Sequence, residues 1–337
     1  MRPTIRDVAQ RLNVSITTVS RALDGYADVS SKTRTLVVQA AREMGYSPNR
    51  AARQLRRQRT DTIGFIIPAS GTGFADPFFS EFIAGLGDEA AERNYDLLVT
   101  TAPPDSPEEK ALYQRWEQSH KVDGIIVNRV FMNDWRLDYL AQRAIPHVSL
   151  ERSPSHVDFT GIEVDSYHGV MELMENLTGR GHRRIAYIGG DPRLKIDHDR
   201  YSGYLSGLLA ASMTPDHELV VRTELTPQGG YLAAGQLFCR DDAPTALVCL
   251  NDQIAMGAMH AAHERGLTIG RDVAIAGFDG IADSAHTEPP LTTLSQPVYT
   301  IARRLIAMLM ALIKGEELAE RQVKITPTLI IRQSTGC

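Results

Sequence analysis

The chain has 337 residues, with 36 Lys or Arg, 41 Asp or Glu and a formal net charge of −5; residues 1–60 oppose that balance with 12 basic and 4 acidic side chains, +8, leaving −13 beyond residue 60. No apolar run reaches the roughly 20 residues that span a bilayer, the start MRPTIR lacks the apolar core of a secretory signal, and Cys239, Cys249 and Cys337 are odd in number and not at metal-ligand spacing. Membrane, secreted and disulfide-framework classes are thereby excluded, and a reduced, cytoplasmic protein with a nucleic-acid-binding head and a different body is expected.

The head comes first. Thr4 is a good N-cap with Asp7 three residues on, and Ile5, Val8, Ala9 and Leu12 share one helical face. Asn13-Val14-Ser15 breaks the pattern, and Ser15 caps a second helix from Ile16 to about Leu23. A third helix is predicted from Ser30 or Ser31 to Met44, with Gly45 as its C-terminal glycine. Two short helices joined by a turn and braced by a third form a helix-turn-helix unit whose second helix enters the major groove. Asn49–Arg57 contains good helix formers but only about two turns, too short to be stable alone in water. It is expected to fold against DNA phosphates facing Arg50, Arg53, Arg56 and Arg57.

From Thr62 the pattern becomes strand–helix alternation. Strands are predicted at 63–68, 96–100, 122–127 and 146–150, with helices at 78–93, 108–118 and 137–143 between them. A second round opens at Gly161 with strands at 161–165, 184–189, 219–221, 246–249 and 273–278. Its helices are at 168–180, 200–211, 230–238 and 252–265. This order predicts two doubly wound parallel sheets, and ligands in such sheets bind beyond the carboxyl ends of the strands.

Three segments, Ile5–Ala9, Val14–Leu23 and Gly45–Leu55, resemble the head and hinge of the lactose-repressor/galactose-repressor family. In the body, Asp76–Phe79, Gly181–Ala186, Asn251–Gly257, Gly277–Gly280, Pro290–Leu294 and Leu329–Ser334 resemble that family's periplasmic-binding-protein-like core, so the resemblance covers nearly the whole chain. The expected fold is α/β with an all-α head. It comprises a helix-turn-helix domain at 1–47, a hinge helix and linker at 48–60, and a two-lobed ligand-binding core at 61–337. The N-lobe is placed at about 61–160 and 293–323 and the C-lobe at about 161–292 and 324–337, with crossings near 160, 292 and 324.

The resemblance also assigns roles. Ile16, Thr17 and Arg21 fall at base-reading positions, and Arg21 suits a bidentate guanine contact. Thr4, Ser15, Thr18, Ser20, Ser30 and Asn49 fall at phosphate-contacting positions. In the hinge, Leu55 matches a leucine that wedges into the minor groove beside Arg53, and Ala52 lets two hinge helices approach closely. Ligand contacts are expected from Asp76, Phe78, Phe79, Arg129, Arg152, Arg200 (opening its helix), Asn251, Asp252 and Asp279, all near strand ends. Planar polar groups beside aromatic faces suit a sugar. The segment Asn128-Arg129 before Phe-Met-Asn-Asp-Trp resembles the α-glucoside-responsive branch.

No dinucleotide fingerprint, Walker loop or nucleophile elbow occurs, so no enzyme activity and no cofactor are expected. Asp197-His198-Asp199 lacks a supporting cluster, and no metal is expected there. The implied protein is a nucleoid-associated homodimeric repressor of carbohydrate-uptake or catabolic genes. It would bind a pseudo-palindromic duplex operator and leave it when a mono- or oligosaccharide fills the cleft. A ligand acting as corepressor fits the same residues. A cytoplasmic sugar-binding or sugar-processing protein without operator function is the alternative from another class. The C-terminus has no leucine heptads, which favours a dimer over a coiled-coil tetramer.

Overall fold

The computed structural model describes residues 3–24, 26, 28–46, 59–68, 76–156 and 158–336. The chain divides after Thr60 into two compact units. The expected hinge positions Asn49, Ala52, Arg53 and Leu55 lie outside the described residues.

The first unit holds α1 (Ile5–Leu12), α2 (Ile16–Leu23) and α3 (Ser31–Glu43). Each starts at a hydroxyl side chain. The Thr4 backbone N–H and hydroxyl both donate to the Asp7 carboxylate, at 2.7 and 2.8 Å, and these bonds hold Asp7 below the usual carboxylate range. Ser15 Oγ accepts from Thr18 N at 3.0 Å, and Ser30 Oγ accepts from Thr33 N at 3.2 Å. Asn13, at φ +52°, ends α1 in the left-handed region, which asparagine tolerates better than most residues. Val8, Ala9, Val19, Ala22, Val37, Ala40 and Ala41 form a core of the head's own.

The second unit runs β1 (Thr62–Pro68), α4 (Pro77–Glu92), β2 (Asp96–Ala102), α5 (Pro107–Gln118), β3 (Gly124–Val127), α6 (Trp135–Gln142), β4 (His147–Leu150) and β5 (Gly161–Val164). It continues with α7 (Ser166–Gly179), β6 (Ile185–Gly189), α8 (Lys195–Ala210), β7 (Val220–Arg222), α9 (Pro227–Phe238), β8 (Ala246–Cys249), α10 (Asp252–Glu264) and β9 (Ala274–Asp279). It closes with β10 (Thr292–Ser295), α11 (Val298–Lys314), β11 (Gln322–Ile325) and β12 (Thr328–Ile330). One sheet has the order β11-β5-β4-β3-β1-β2 and the other β12-β10-β9-β8-β6-β7. All pairings are parallel except β10 with β12. Stripped of the last strand, the two orders repeat one topology. Each sheet reverses direction at its first strand, so a crevice opens between the ends of β1 and β3 and another between β6 and β8.

Several expectations are corrected. β5, expected to open the second round, pairs with β4 and β11 in the first sheet. A short apolar strand does not itself reveal which sheet accepts it. The chain therefore crosses near Asp165, near Gln296–Pro297 and between β11 and β12, a few residues beyond each expected point. Helix α8 begins at Lys195 rather than Arg200, which puts Asp197, His198 and Asp199 in its first turns. Helix α11 was not anticipated, although Ile301, Ala302, Leu305, Ile306 and Leu309 form its buried stripe. It packs on α4, with Arg303 bonded to Glu89 and Glu92. Among the described residues no helix is long and apolar enough to cross a membrane.

Candidate functional site

In the head, α2 presents Ile16 and Thr17 to solvent, and Ile16 is 45% exposed, which is high for a large apolar side chain at a helix start. Arg21 is half exposed, salt-bridged to Asp28 at 2.6 Å and set over the Tyr26 ring at 4.9 Å. A half-exposed ion pair is weak, so Asp28 does not lock the guanidinium in place. Thr4, Ser15, Thr18 and Ser30 are at the surface or partly so, as phosphate contact requires. Ser20 is not. It is 8% exposed, and its hydroxyl donates to Asp24 at 3.5 Å.

The body contains a cleft that opens to solvent and encloses about 460 Å³ with its mouth included. Its walls come from the carboxyl ends of both sheets. After β1, Asp76 caps α4 by accepting from Phe78 N at 3.1 Å. After β3, Arg129 takes a left-handed conformation (φ +48°) and donates to Asp76 at 3.1 Å and to the Pro68 carbonyl at 3.3 Å. From the other lobe, Arg200 donates to the Leu250 carbonyl and lies flat on the Phe278 ring at 3.5 Å, with Nη2 3.6 Å from Asp279. Gln296 Nε2 donates to Asp279 Oδ1 at 2.8 Å.

Burial raises the carboxyls. Asp279 is pushed up to about 6 by desolvation and by Asp76, against the pull of Arg200. Asp76 rises for the same first reason, opposed by Arg129. Burial lowers the Arg129 guanidinium while Asp76 and Asp279 support its charge. The four groups form two compensated ion pairs, one on each lobe.

Of the expected contacts, Asp76, Phe78, Arg129, Arg200, Asn251 and Asp279 line the cleft, and Phe79, Arg152 and Asp252 do not. Phe79 is fully buried beneath Arg129, because neighbours on a helix cannot both face the cleft. Arg152 is exposed beyond the turn. Asp252 is buried behind Asn251, accepting from Thr293 Oγ1 at 2.6 Å and Ile281 N at 2.9 Å. A side chain at Gly277 would collide with it. Asn251 caps α10 through Oδ1, which accepts from Ile254 N at 2.9 Å and leaves its amide nitrogen out of the cap.

Asn128, Glu151 and Gln296 were missed as polar lining, together with Leu150, Ile196, Leu225 and Leu250. The first three directly follow β3, β4 and β10, so the strand-end rule could have found them. Ile196 and Leu225 carried no such signal. Asn128 Nδ2 and Glu151 Oε2 are buried without a hydrogen-bond partner. Burial pushes Glu151 up to about 8, against the opposing pull of Lys195. Glu151, Glu163 and Asp199 bring three carboxylates together, but the Lys195 ammonium already bonds Glu163 and Asp199 and occupies the cationic role.

Because Glu151 binds its proton more tightly folded than unfolded, stability is lost as pH rises from about 4.5 towards 8. Glu151→Gln should therefore gain stability relative to the parent as pH rises, by up to about 4 kcal/mol between pH 5 and 8.5. Thermal melts at the two pH values check this, and a pH-independent difference would contradict it.

The head matches the family model described as bacterial regulatory proteins, lacI family, over residues 4–49. Residues 174–335 match that of a periplasmic binding protein-like domain. The HTH-type transcriptional regulator AglR of Rhizobium meliloti (strain 1021) is 32% identical, over 98% of this chain and 94% of its own length. The HTH-type transcriptional repressor CytR of Escherichia coli (strain K12) is also 32% identical, over 98% and 96%. Among solved structures, the lac repressor dimer bound to operator and the anti-inducer ONPF superposes with a TM-score of 0.84 at 27% identity, covering 100% of both chains. A transcriptional regulator CelR–cellobiose complex gives 0.75 at 28% identity, covering 99% of this chain and 100% of that one. Such proteins are transcriptional regulators and not enzymes. Matched from head to C-terminal strands, the chain belongs to the LacI family of bacterial transcriptional regulators.

Proposed function

We propose that the chain is a sugar-responsive repressor of carbohydrate-uptake or catabolic genes. As a homodimer it binds a pseudo-palindromic operator, and a mono- or oligosaccharide in the cleft releases it. The observation that carries the sugar is charge compensation in the cleft. Asp76 pairs with Arg129 and Arg200 with Asp279, so the site suits a neutral molecule rich in hydroxyls. Carboxylates accept from hydroxyls, while the guanidiniums and the amides of Asn128 and Asn251 donate to them. Phe78, Leu150 and Leu250 provide apolar faces for ring carbons. The CelR relative is a cellobiose complex, which supports a saccharide ligand. An α-glucoside is the first candidate, from Asn128-Arg129 and the turn that follows.

On DNA, Ile16, Thr17 and Arg21 read bases while Thr4, Ser15, Thr18, Ser30 and Asn49 hold phosphates. Ala52, Arg53 and Leu55 engage the minor groove. The test is a thermal-shift screen of the full chain against mono- and disaccharides, including cellobiose and α-glucosides. Operator titration with and without each hit follows. If no sugar stabilises the protein, the sugar assignment fails; if a sugar tightens operator binding, it is a corepressor. Arg21→Ala should weaken operator binding by about 10–100-fold while non-specific binding falls by less than about threefold, as read by titration against operator and scrambled duplexes. Equal losses on both would remove Arg21 as a base reader.

A further inference from the structure

We propose that Val130–Met132 and Arg193–Lys195 form a latch that fastens the two lobes across the cleft and sets how readily it opens. Val130–Met132 follows β3 of the first sheet, and Arg193–Lys195 runs from the end of β6 in the second sheet into α8. The two segments meet as one rung of an antiparallel ladder. Met132 N–H donates to the Arg193 carbonyl and Lys195 N–H to the Val130 carbonyl, both at 2.8 Å. Phe131 and Leu194 thus face each other as a non-hydrogen-bonded pair, buried to 6% and 7% exposure.

Each half is stiffened on its own lobe. Phe131 N–H donates to Asp134 Oδ2 at 2.9 Å, and the Met132 carbonyl accepts from Ser153 Oγ at 3.1 Å. Leu194 N–H donates to the Asp191 carbonyl at 3.0 Å. Arg193 then ties the lobes a second time. It donates to Asp105 Oδ2, in the loop between β2 and α5, at 2.9 Å, and its guanidinium lies over the Phe131 ring at 5.3 Å.

The latch abuts the ligand residues on both sides. Arg129 directly precedes Val130, and Ile196 directly follows Lys195, with Arg200 one turn further along α8. Every contact in the latch is between protein groups, so its strength is a property of the sequence and not of the ligand. A ligand that prefers one lobe arrangement binds in proportion to the population of that arrangement. Weakening the latch therefore shifts both effector affinity and the switching set-point. The coupling to DNA rests on the proposed function; the latch does not.

Two measurements on the full chain test it. In amide hydrogen exchange, Met132 and Lys195 should be protected in the parent. Arg193→Ala with Asp105→Ala should speed both by at least about tenfold, leaving amides within β1 and β6 unchanged. Unprotected Met132 and Lys195 amides in the parent, or rates that ignore the substitutions, would overturn the latch. The second variant is Phe131→Cys with Leu194→Cys on a Cys239→Ser, Cys337→Ser background. A non-hydrogen-bonded pair has Cα atoms about 4.5 Å apart, within disulfide range, so oxidised glutathione should cross-link it and dithiothreitol should reverse it. Affinity for a duplex selected by the parent from a random library should differ at least tenfold between the two states. If the cross-link forms and the affinities agree within twofold, the latch does not set the switch. If the parent selects no duplex, the regulatory reading fails while exchange still decides the latch.

Discussion

Arg200→Ala should remove the effector response while leaving operator binding intact. Arg200 is 4% exposed. Its guanidinium links the Leu250 carbonyl, the Asp279 carboxylate and the Phe278 ring. Alanine removes a charged donor from the cleft and leaves the buried Asp279 carboxylate accepting from the neutral Gln296 amide. Truncating one member of a buried ion pair costs about 3–5 kcal/mol. The effector Kd should therefore rise by roughly 100-fold or more. Calorimetry with the sugar found by screening reads the loss, and titration with operator alone should be unchanged within about threefold. Arg200→Lys keeps the charge but not the planar fork, and should recover only part of the affinity. An effector Kd within threefold of the parent in the alanine variant would remove Arg200 from the site.

The polar half of this cleft was more legible in the sequence than the apolar half. Arg129 and Asn251 lie just past strands, Asp279 ends β9 and Asp76 caps the helix that follows β1, and the topology rule for doubly wound sheets fixes that location without any contact being known. Asn128, Glu151 and Gln296 obey the same rule and could have been read from it. Phe79 and Asp252 show where the rule stops. Each neighbours a true lining residue, but helix geometry turns Phe78 and Asn251 to the cleft and their neighbours inward. Ile196 and Leu225 reach the cleft only through the tertiary path of α8 and the segment after β7, which no local pattern encodes. The opposite failure is α11, whose apolar stripe is fully local. In the head, helix starts were legible because Thr4, Ser15 and Ser30 act through bonds to residues three positions away. Ser20 was misplaced because its exposure depends on how three helices pack.

Beneath the cleft, Arg136→Met should cost the body about 3–5 kcal/mol and lower its melting temperature by roughly 10 °C. Arg136 is 1% exposed. It donates to Asp134 through Nε and Nη2, at 2.9 and 2.6 Å, and to Glu109 through Nη1 at 3.2 Å. Both carboxylates are fully buried. Burial, and less strongly the neighbouring Asp134, raises Glu109, and Arg136 opposes that rise. Burial would equally lower Arg136, but Asp134 outweighs it and holds the guanidinium above its ordinary value. Methionine fills similar space without charge, so the loss comes from two like charges left in a dry interior rather than from a cavity. The sign of the pH dependence separates the two causes. With the cation gone, Glu109 binds its proton more tightly in the folded than in the unfolded chain, so the variant should regain stability as pH falls from 8 to 5. A purely steric defect would cost the same at both. Glu109→Gln added to Arg136→Met should recover part of the loss even at pH 8, because one of the stranded charges is removed. The defect should also reach the ligand. Arg136 Nη2 donates to the Arg129 carbonyl at 3.0 Å, which helps hold Arg129 in its left-handed turn against Asp76. Effector affinity should therefore fall along with stability, whereas the helices of the head, which pack on their own core, should keep their amide protection.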